Sequence, residues 1–119
     1  MTLYLANAFS LNMLHIPSGK MAHVVVNKIE EGRAAELIRS ACRLGGFSNI
    51  IGHHTTDEVV RSIFEDYELF APVGARKSVL LHEEDILIVA QYIGPRLEEG
   101  TTTLPDGARI EWFEVYLEP

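Results

Sequence analysis

The run Ile86-Leu87-Ile88-Val89-Ala90-Gln91-Tyr92-Ile93 is the most apolar stretch of the chain, and it stops at Gly94-Pro95. Successive side chains of a strand point to opposite faces of its sheet. A strand without polar alternation is therefore covered on both faces and central in the sheet. Glycine and proline then end its hydrogen-bond ladder. A chain built around such a strand needs layers to cover it. We expect an α/β fold, a single compact domain over residues 1–119 with a mixed sheet of about five strands and flanking helices.

The flanking sequence supplies those layers. Thr2 to Ala6 is short, apolar and carries Tyr4, which reads as a first strand. Asn7 to Leu14 reads as a loop followed by one helical turn, with Ser10 as its N-cap. Pro17-Ser18-Gly19-Lys20 is a turn, and the valine-rich Ala22 to Ile29 a second strand. Glu30-Glu31 suits the first turn of a helix. Ala34, Leu37, Ile38, Ala41, Cys42 and Leu44 then form one buried stripe at helical spacing, and Gly45-Gly46 ends it. Cys42 lies on that stripe, which makes it a core residue. Phe47 to Ile51 is a third strand. A second helix buries Val59, Val60, Ile63, Phe64 and Tyr67, with Glu65, Asp66 and Glu68 on its solvated face. Ala71 to Lys77 is a loop, and Val79-Leu80-Leu81 a short strand or turn. Arg109 to Leu117 is a last strand, largely apolar on both faces and so expected to be covered twice.

Composition excludes several classes of function. Of 119 residues, 47% are hydrophobic and 23% charged, and the formal charge is −7. That balance opposes broad attachment to long nucleic acid or to a membrane surface, but it allows a small anion in a local positive pocket. No apolar run approaches the roughly 18 residues that span a bilayer. The N-terminal stretch lacks the basic n-region of a signal peptide. With one cysteine there is no intrachain disulfide. The expected location is the cytoplasm.

The chemistry gathers around Ile50-Ile51-Gly52-His53-His54-Thr55-Thr56-Asp57-Glu58. An apolar run ends in glycine, two histidines follow, and a helix begins. Thr55 and Glu58 have the spacing of a capping box, which satisfies free N–H groups of a first turn. His53 then stands at a strand end beside a helix N-terminus, where the partial positive charge favours a phosphate. It has two readings: a structural cap, or a proton donor whose reference pKa of about 6.5 suits work near neutrality.

Asn7, Ser10 and Asn12 follow the first strand, and Arg96 and Glu99 follow Ile86 to Ile93. Ligand sites of α/β sheets collect at such ends. Arg96 offers a fork of donors for phosphate oxygens, and Glu99 a carboxylate to orient a histidine. Arg96-Leu97-Glu98-Glu99 also reads as a solvated charge run, and Ser10 as a cap alone. The metal kit is poor, since His53 and His54 point apart on an extended segment and no acidic or cysteine cluster completes a ligand set. His15, His23 and His82 stand alone as surface or cap residues. From the residues themselves the chain offers an anion site suited to a phosphodiester.

Four stretches together resemble one family. They are Asn7-Ala8-Phe9-Ser10-Leu11-Asn12-Met13-Leu14, Ile51-Gly52-His53-His54-Thr55-Thr56, Arg96-Leu97-Glu98-Glu99-Gly100 and Trp112-Phe113-Glu114-Val115-Tyr116. In this order and near these positions they are similar to the small viral ring nucleases that act as inhibitors of type III CRISPR defence. The resemblance implies a homodimer that binds cyclic tetra-adenylate and cleaves it without metal or other cofactor. The product is linear di-adenylate with a 2′,3′-cyclic phosphate, and the defence signal is lost. It implies His53 as general acid, Arg96 as the holder of the scissile phosphate and Glu99 as the residue orienting the site. Asn7, Ser10, Asn12, Thr55 and Thr56 would contact the ligand.

One departure stands out. Gly94-Pro95 precedes the arginine where some relatives carry glutamine, and the nearest glutamine here is Gln91. Two rivals remain beside the nuclease. One is a non-catalytic dimer that sequesters a cyclic nucleotide or meets a protein partner. The other is an RNA-end phosphoesterase with two separate histidine-x-threonine pairs, of which this chain has only the overlapping His53-His54-Thr55-Thr56.

Overall fold

Five strands form one mixed sheet in the order β2-β5-β4-β1-β3. In chain order the elements are β1 (Leu3–Ala6), a 3-10 turn at Leu11–Met13, β2 (His23–Ile29), α1 (Glu31–Arg43), β3 (Phe47–Asn49), α2 (His54–Ile63), β4 (Ile86–Ile93) and β5 (Arg109–Glu118). This structure is a computed structural model and describes residues 1–63 and 79–118. The expected contributions of Phe64, Tyr67, Glu65, Asp66 and Glu68, and the loop expected over 71–77, lie outside the described residues.

The expected α/β fold is the one observed, and the apolar run Ile86–Ile93 is central in it. β4 pairs in parallel with β1 and antiparallel with β5, and Leu87, Ile88, Val89 and Ala90 are all buried. One face of the sheet packs Leu3, Leu5, Ile88, Ala90 and Trp112 against Ala34, Ala35, Ile38 and Ala41 of α1 and Val60 of α2. Each large aliphatic side chain buried in this way stabilises the fold by about 2 kcal/mol. The opposite face carries Ala6, Leu87, Val89 and Val115, covered by Leu81 and by Phe9, Met13 and Leu14 from the turn after β1. That cover stops short of β2, where Val26 is 55% exposed. The last strand, expected to be covered on both faces, buries Trp112 on its α1 face and Val115 on the other, with Ile110, Glu111, Phe113, Glu114, Tyr116 and Leu117 half-buried.

Helix α1 ends as its two glycines require. Gly45 takes φ 76°, the left-handed conformation that glycine adopts without a Cβ penalty. Gly46 N–H donates to Ala41 O at 2.9 Å and Gly45 N–H to Cys42 O at 3.2 Å, which is the Schellman pattern. The turn carries Leu44 out of the buried stripe, so it is 81% exposed, and Ala35, which the spacing left out, is buried near the start of the helix.

Strands β1, β3 and β4 run parallel, so their carboxyl ends share one edge of the sheet. Two features set the geometry of that edge. First, β1 stops pairing at Ala6, opposite Val89, whereas β4 and β5 stay paired to Ile93 and Arg109. The β4–β5 hairpin therefore projects about 13 Å beyond β1. Second, the junction of β3 with α2 is locked by a buried carboxylate. Asp57, 1% exposed, accepts from Asn49 Nδ2 at 2.6 Å and from Arg61 Nε at 2.8 Å. Asn49 Oδ1 in turn accepts from Ile51 N–H at 3.1 Å. Cutting one member of a buried, hydrogen-bonded ion pair is costly. Asp57→Ala is expected to cost about 3 kcal/mol, seen as a lower urea midpoint at unchanged m-value.

Candidate active site

His53 is the residue immediately before α2, and its own ring caps the helix. Thr56 N–H donates to His53 Nδ1 at 3.2 Å, and Asp57 N–H donates to His53 O at 2.9 Å, the first bond of the helix. Thr56 Oγ1 lies 3.0 Å from the same ring nitrogen. The helix thus begins two residues earlier than a Thr55–Glu58 capping box would start it. Both those residues lie inside it because His53 already supplies the cap acceptor.

This contact joins the two readings of His53. A ring nitrogen that accepts an N–H carries no proton in the neutral imidazole, so the proton is on Nε2. His53 is exposed, and among the described residues nothing pairs with Nε2. One nitrogen is a structural cap, and the other is a donor presented outward at the positive end of a helix.

The Asn7 group lies at the neighbouring strand end. Ser10 caps the 3-10 turn, its side chain accepting from Asn12 N–H at 3.3 Å, as expected. Ser10 and Asn12 are exposed and Asn7 is half-buried. Asn7 lines an open groove of about 280 Å³ with Phe9, Val26, Val89, Gln91 and Phe113. Gln91, left without a role by the sequence, thus lines the same groove as Asn7. The signal that could have placed it is its position two residues along β4 from Val89, on the same face. Beside it, Glu111 faces Lys28 Nζ at 3.4 Å and Arg109 Nε at 3.2 Å. Desolvation alone would raise its carboxyl, but the bonds from Arg109 and Lys28 outweigh that and hold it below the usual carboxylate range.

Arg96 and Glu99 follow the tip of the projecting hairpin, and both are exposed. Arg96 lines a shallow depression with Pro95, Glu98, Thr101, Thr103 and Pro105. Among the described residues neither Arg96 nor Glu99 bonds to His53 or shares a cavity with it. A single chain therefore brings His53 together with Thr56 and sets Asn7 and Gln91 in one groove, with no bond among the described residues from Arg96 or Glu99 to His53. Thr55 is half-buried on the first turn of α2 and Thr56 is 8% exposed.

Two other features bear on the chemistry. A cavity of about 600 Å³ at the amino ends of β2 and β4 is lined by His15, His23, His82 and Lys20 among others. Those histidines looked isolated in the sequence. The cavity lies at the end of the sheet away from His53, and among the described residues no three His, Cys, Asp or Glu side chains gather to hold a metal ion. Burial pushes the Cys42 thiol up, which makes it a poor nucleophile.

Comparison with known proteins gives this arrangement a family. A family profile described as STIV B116-like matches residues 3–109. The chain belongs to the STIV B116-like family. B116 of Sulfolobus turreted icosahedral virus is a solved member of similar fold, 27% identical, with a TM-score of 0.73 and covering 98% of this chain and 99% of its own. No curated protein sequence matches. At the coarse level the STIV B116-like relationship agrees with the expected viral protein family. No helix among the described residues is long and apolar enough to cross a membrane.

The cap contact has a measurable consequence. Asparagine is among the best N-cap residues and alanine among the poorest. His53→Ala is expected to lose about 1 kcal/mol of stability and His53→Asn close to none, as read by thermal unfolding.

Proposed function

We propose that the chain is a metal-independent ring nuclease that cleaves cyclic tetra-adenylate to linear di-adenylate with a 2′,3′-cyclic phosphate, and so antagonises type III CRISPR signalling. The observation that carries the reading is His53, held by Nδ1 at the start of α2 with Nε2 outward, on the sheet edge that also presents Asn7. The ordered set of motifs from Asn7 to Tyr116 supplies the substrate.

The reaction needs positioning and charge stabilisation more than it needs new nucleophiles. The substrate's 2′-hydroxyl attacks the adjacent phosphorus and releases its proton to solvent, the bond to the 5′ oxygen breaks, and the charged His53 ring gives its Nε2 proton to that leaving oxygen. Arg96 holds the phosphate oxygens as charge develops, and Glu99 orients the site. Asn7 and Gln91 meet adenine edges over the apolar floor of Phe9 and Phe113, the mixture of amides and aromatics that single-stranded RNA bases use. Ser10, Asn12 and Thr55 line the approach to the same edge. In a host cell the reaction belongs in the cytoplasm, where the messenger is made.

Among the described residues no bond joins Arg96 or Glu99 to His53, which gives the dimer a task. A ring of four equal nucleotides matches the twofold axis of a homodimer, and two chains facing each other across it bring the hairpin of one toward the helix start of the other. The same separation favours the sequestering reading if the dimer does not close it. That reading predicts tight binding without turnover.

Incubation with cyclic tetra-adenylate in chelator, read by chromatography, tests the reaction. Wild type is expected to release linear di-adenylate ending in a cyclic phosphate. His53→Asn keeps the ligand bound and loses cleavage by about 100-fold or more, the usual worth of a positioned acid. A 2′-deoxy ring stays intact. An uncut ring with wild type would sink the nuclease reading, and rate loss in chelator would redirect it to a metal route.

Mixing two inactive variants tests the division of labour. If Arg96 serves the His53 of the other copy, His53→Asn mixed with Arg96→Ala recovers about a quarter of the wild-type rate, since half of random dimers are mixed and each keeps one complete site. No recovery would place both residues in the same chain's site.

A further inference from the structure

We propose that Thr56 is the positioning residue of the His53 acid, its amide aiming the neutral resting ring and its hydroxyl holding the proton on Nδ1 in the charged form whose Nε2 reacts. The inference rests on the nuclease reading for its consequence and on the cap geometry for its content. Thr56 N–H and Thr56 Oγ1 both meet Nδ1, at 3.2 and 3.0 Å. Thr56 itself is 8% exposed, with its hydroxyl against the His53 ring.

The two partners have different capacities. An amide N–H can only donate, so it suits the neutral ring, whose Nδ1 is bare. The ring that delivers a proton from Nε2 is the charged one, with hydrogen on both nitrogens. Its Nδ1–H faces the Thr56 amide, donor against donor, and needs an acceptor. A hydroxyl carries one proton and two lone pairs and rotates freely. Thr56 Oγ1 therefore donates to the bare Nδ1 at rest and turns to accept from Nδ1–H in the acid form. When Nε2 has given its proton to the leaving oxygen, the remaining proton stays on Nδ1 against Oγ1. It exchanges through solvent as the ring returns to rest.

Valine keeps the size and branching of threonine and removes the hydroxyl; serine keeps the hydroxyl. Nitrogen-15 NMR of wild type, Thr56→Val and Thr56→Ser, with the His53 signals assigned by their loss in His53→Asn, reads the ring without any turnover. In mildly alkaline buffer the wild-type ring is expected as the Nε2–H form. In mildly acidic buffer its Nδ1 proton exchanges with water severalfold more slowly in wild type and Thr56→Ser than in Thr56→Val. With cyclic tetra-adenylate, Thr56→Val is expected to lose about tenfold in single-turnover rate, the worth of one hydrogen bond, at unchanged binding, and Thr56→Ser to restore it.

A neutral ring protonated on Nδ1, or equal Nδ1 proton exchange in all three proteins, overturns the proposal. So does a Thr56→Val protein that cleaves at the wild-type rate, or one that loses binding in step with rate, which would make Thr56 a ligand contact. A wild type that shows the protected Nδ1 proton but leaves the ring intact sinks the nuclease reading and leaves the Thr56–His53 pairing standing.

Discussion

The buried carboxylate of Asp57 is the interaction on which the candidate site depends. It bonds backward to Asn49 at the end of β3 and forward to Arg61 one turn along α2. A charge this deeply buried is tolerated only when its lone pairs are filled, so strand end and helix start are held in one relation. His53 is part of the short connection between them. Its position follows from a bond made several residues away, and its ring direction from the Thr56 amide.

Parallel β1, β3 and β4 then gather what the chain spreads out. Residues 7, 53 and 96 are far apart in sequence, yet each follows a strand that ends on the same edge. The antiparallel pair β4–β5 breaks the symmetry of that edge by running on past its neighbours. One consequence is the groove beside the hairpin, lined by Asn7, Gln91 and two aromatic rings. The other is that Arg96 is carried out past the end of β1, and among the described residues it makes no bond to His53. The uncovered stretch around Val26 shows the same economy, with one face of the sheet closed by helices and the other closed only where the turn after β1 reaches.

Much of the fold was legible because it rests on local rules. Non-alternating apolar residues marked Ile86–Ile93 as central, helical spacing marked Ala34, Ile38 and Ala41, and Gly45-Gly46 marked the end of α1. The errors came where two local rules competed. Thr55 and Glu58 have capping-box spacing, but the imidazole of His53 reaches the Thr56 amide first and starts the helix earlier. Leu44 continues the apolar period, but the left-handed turn at Gly45 turns the chain away before its side chain can be buried. Gln91 shows only which face of β4 it shares with Val89; that Asn7 lines the same groove depends on how β1 pairs with β4.

The residues by themselves determined the element types, the central strand, the histidine at a helix start and the polar groups at three strand ends, because periodicity and capping act over a few neighbouring positions. Only the tertiary structure decided which ring nitrogen of His53 is engaged, that Thr56 is the group engaging it, and that Arg96 stands on a projecting hairpin. The first two depend on how the His53 ring is turned, a choice between local contacts that residue types alone leave open, and the third depends on strand register. Register is a pairing between distant segments, and no single segment carries it.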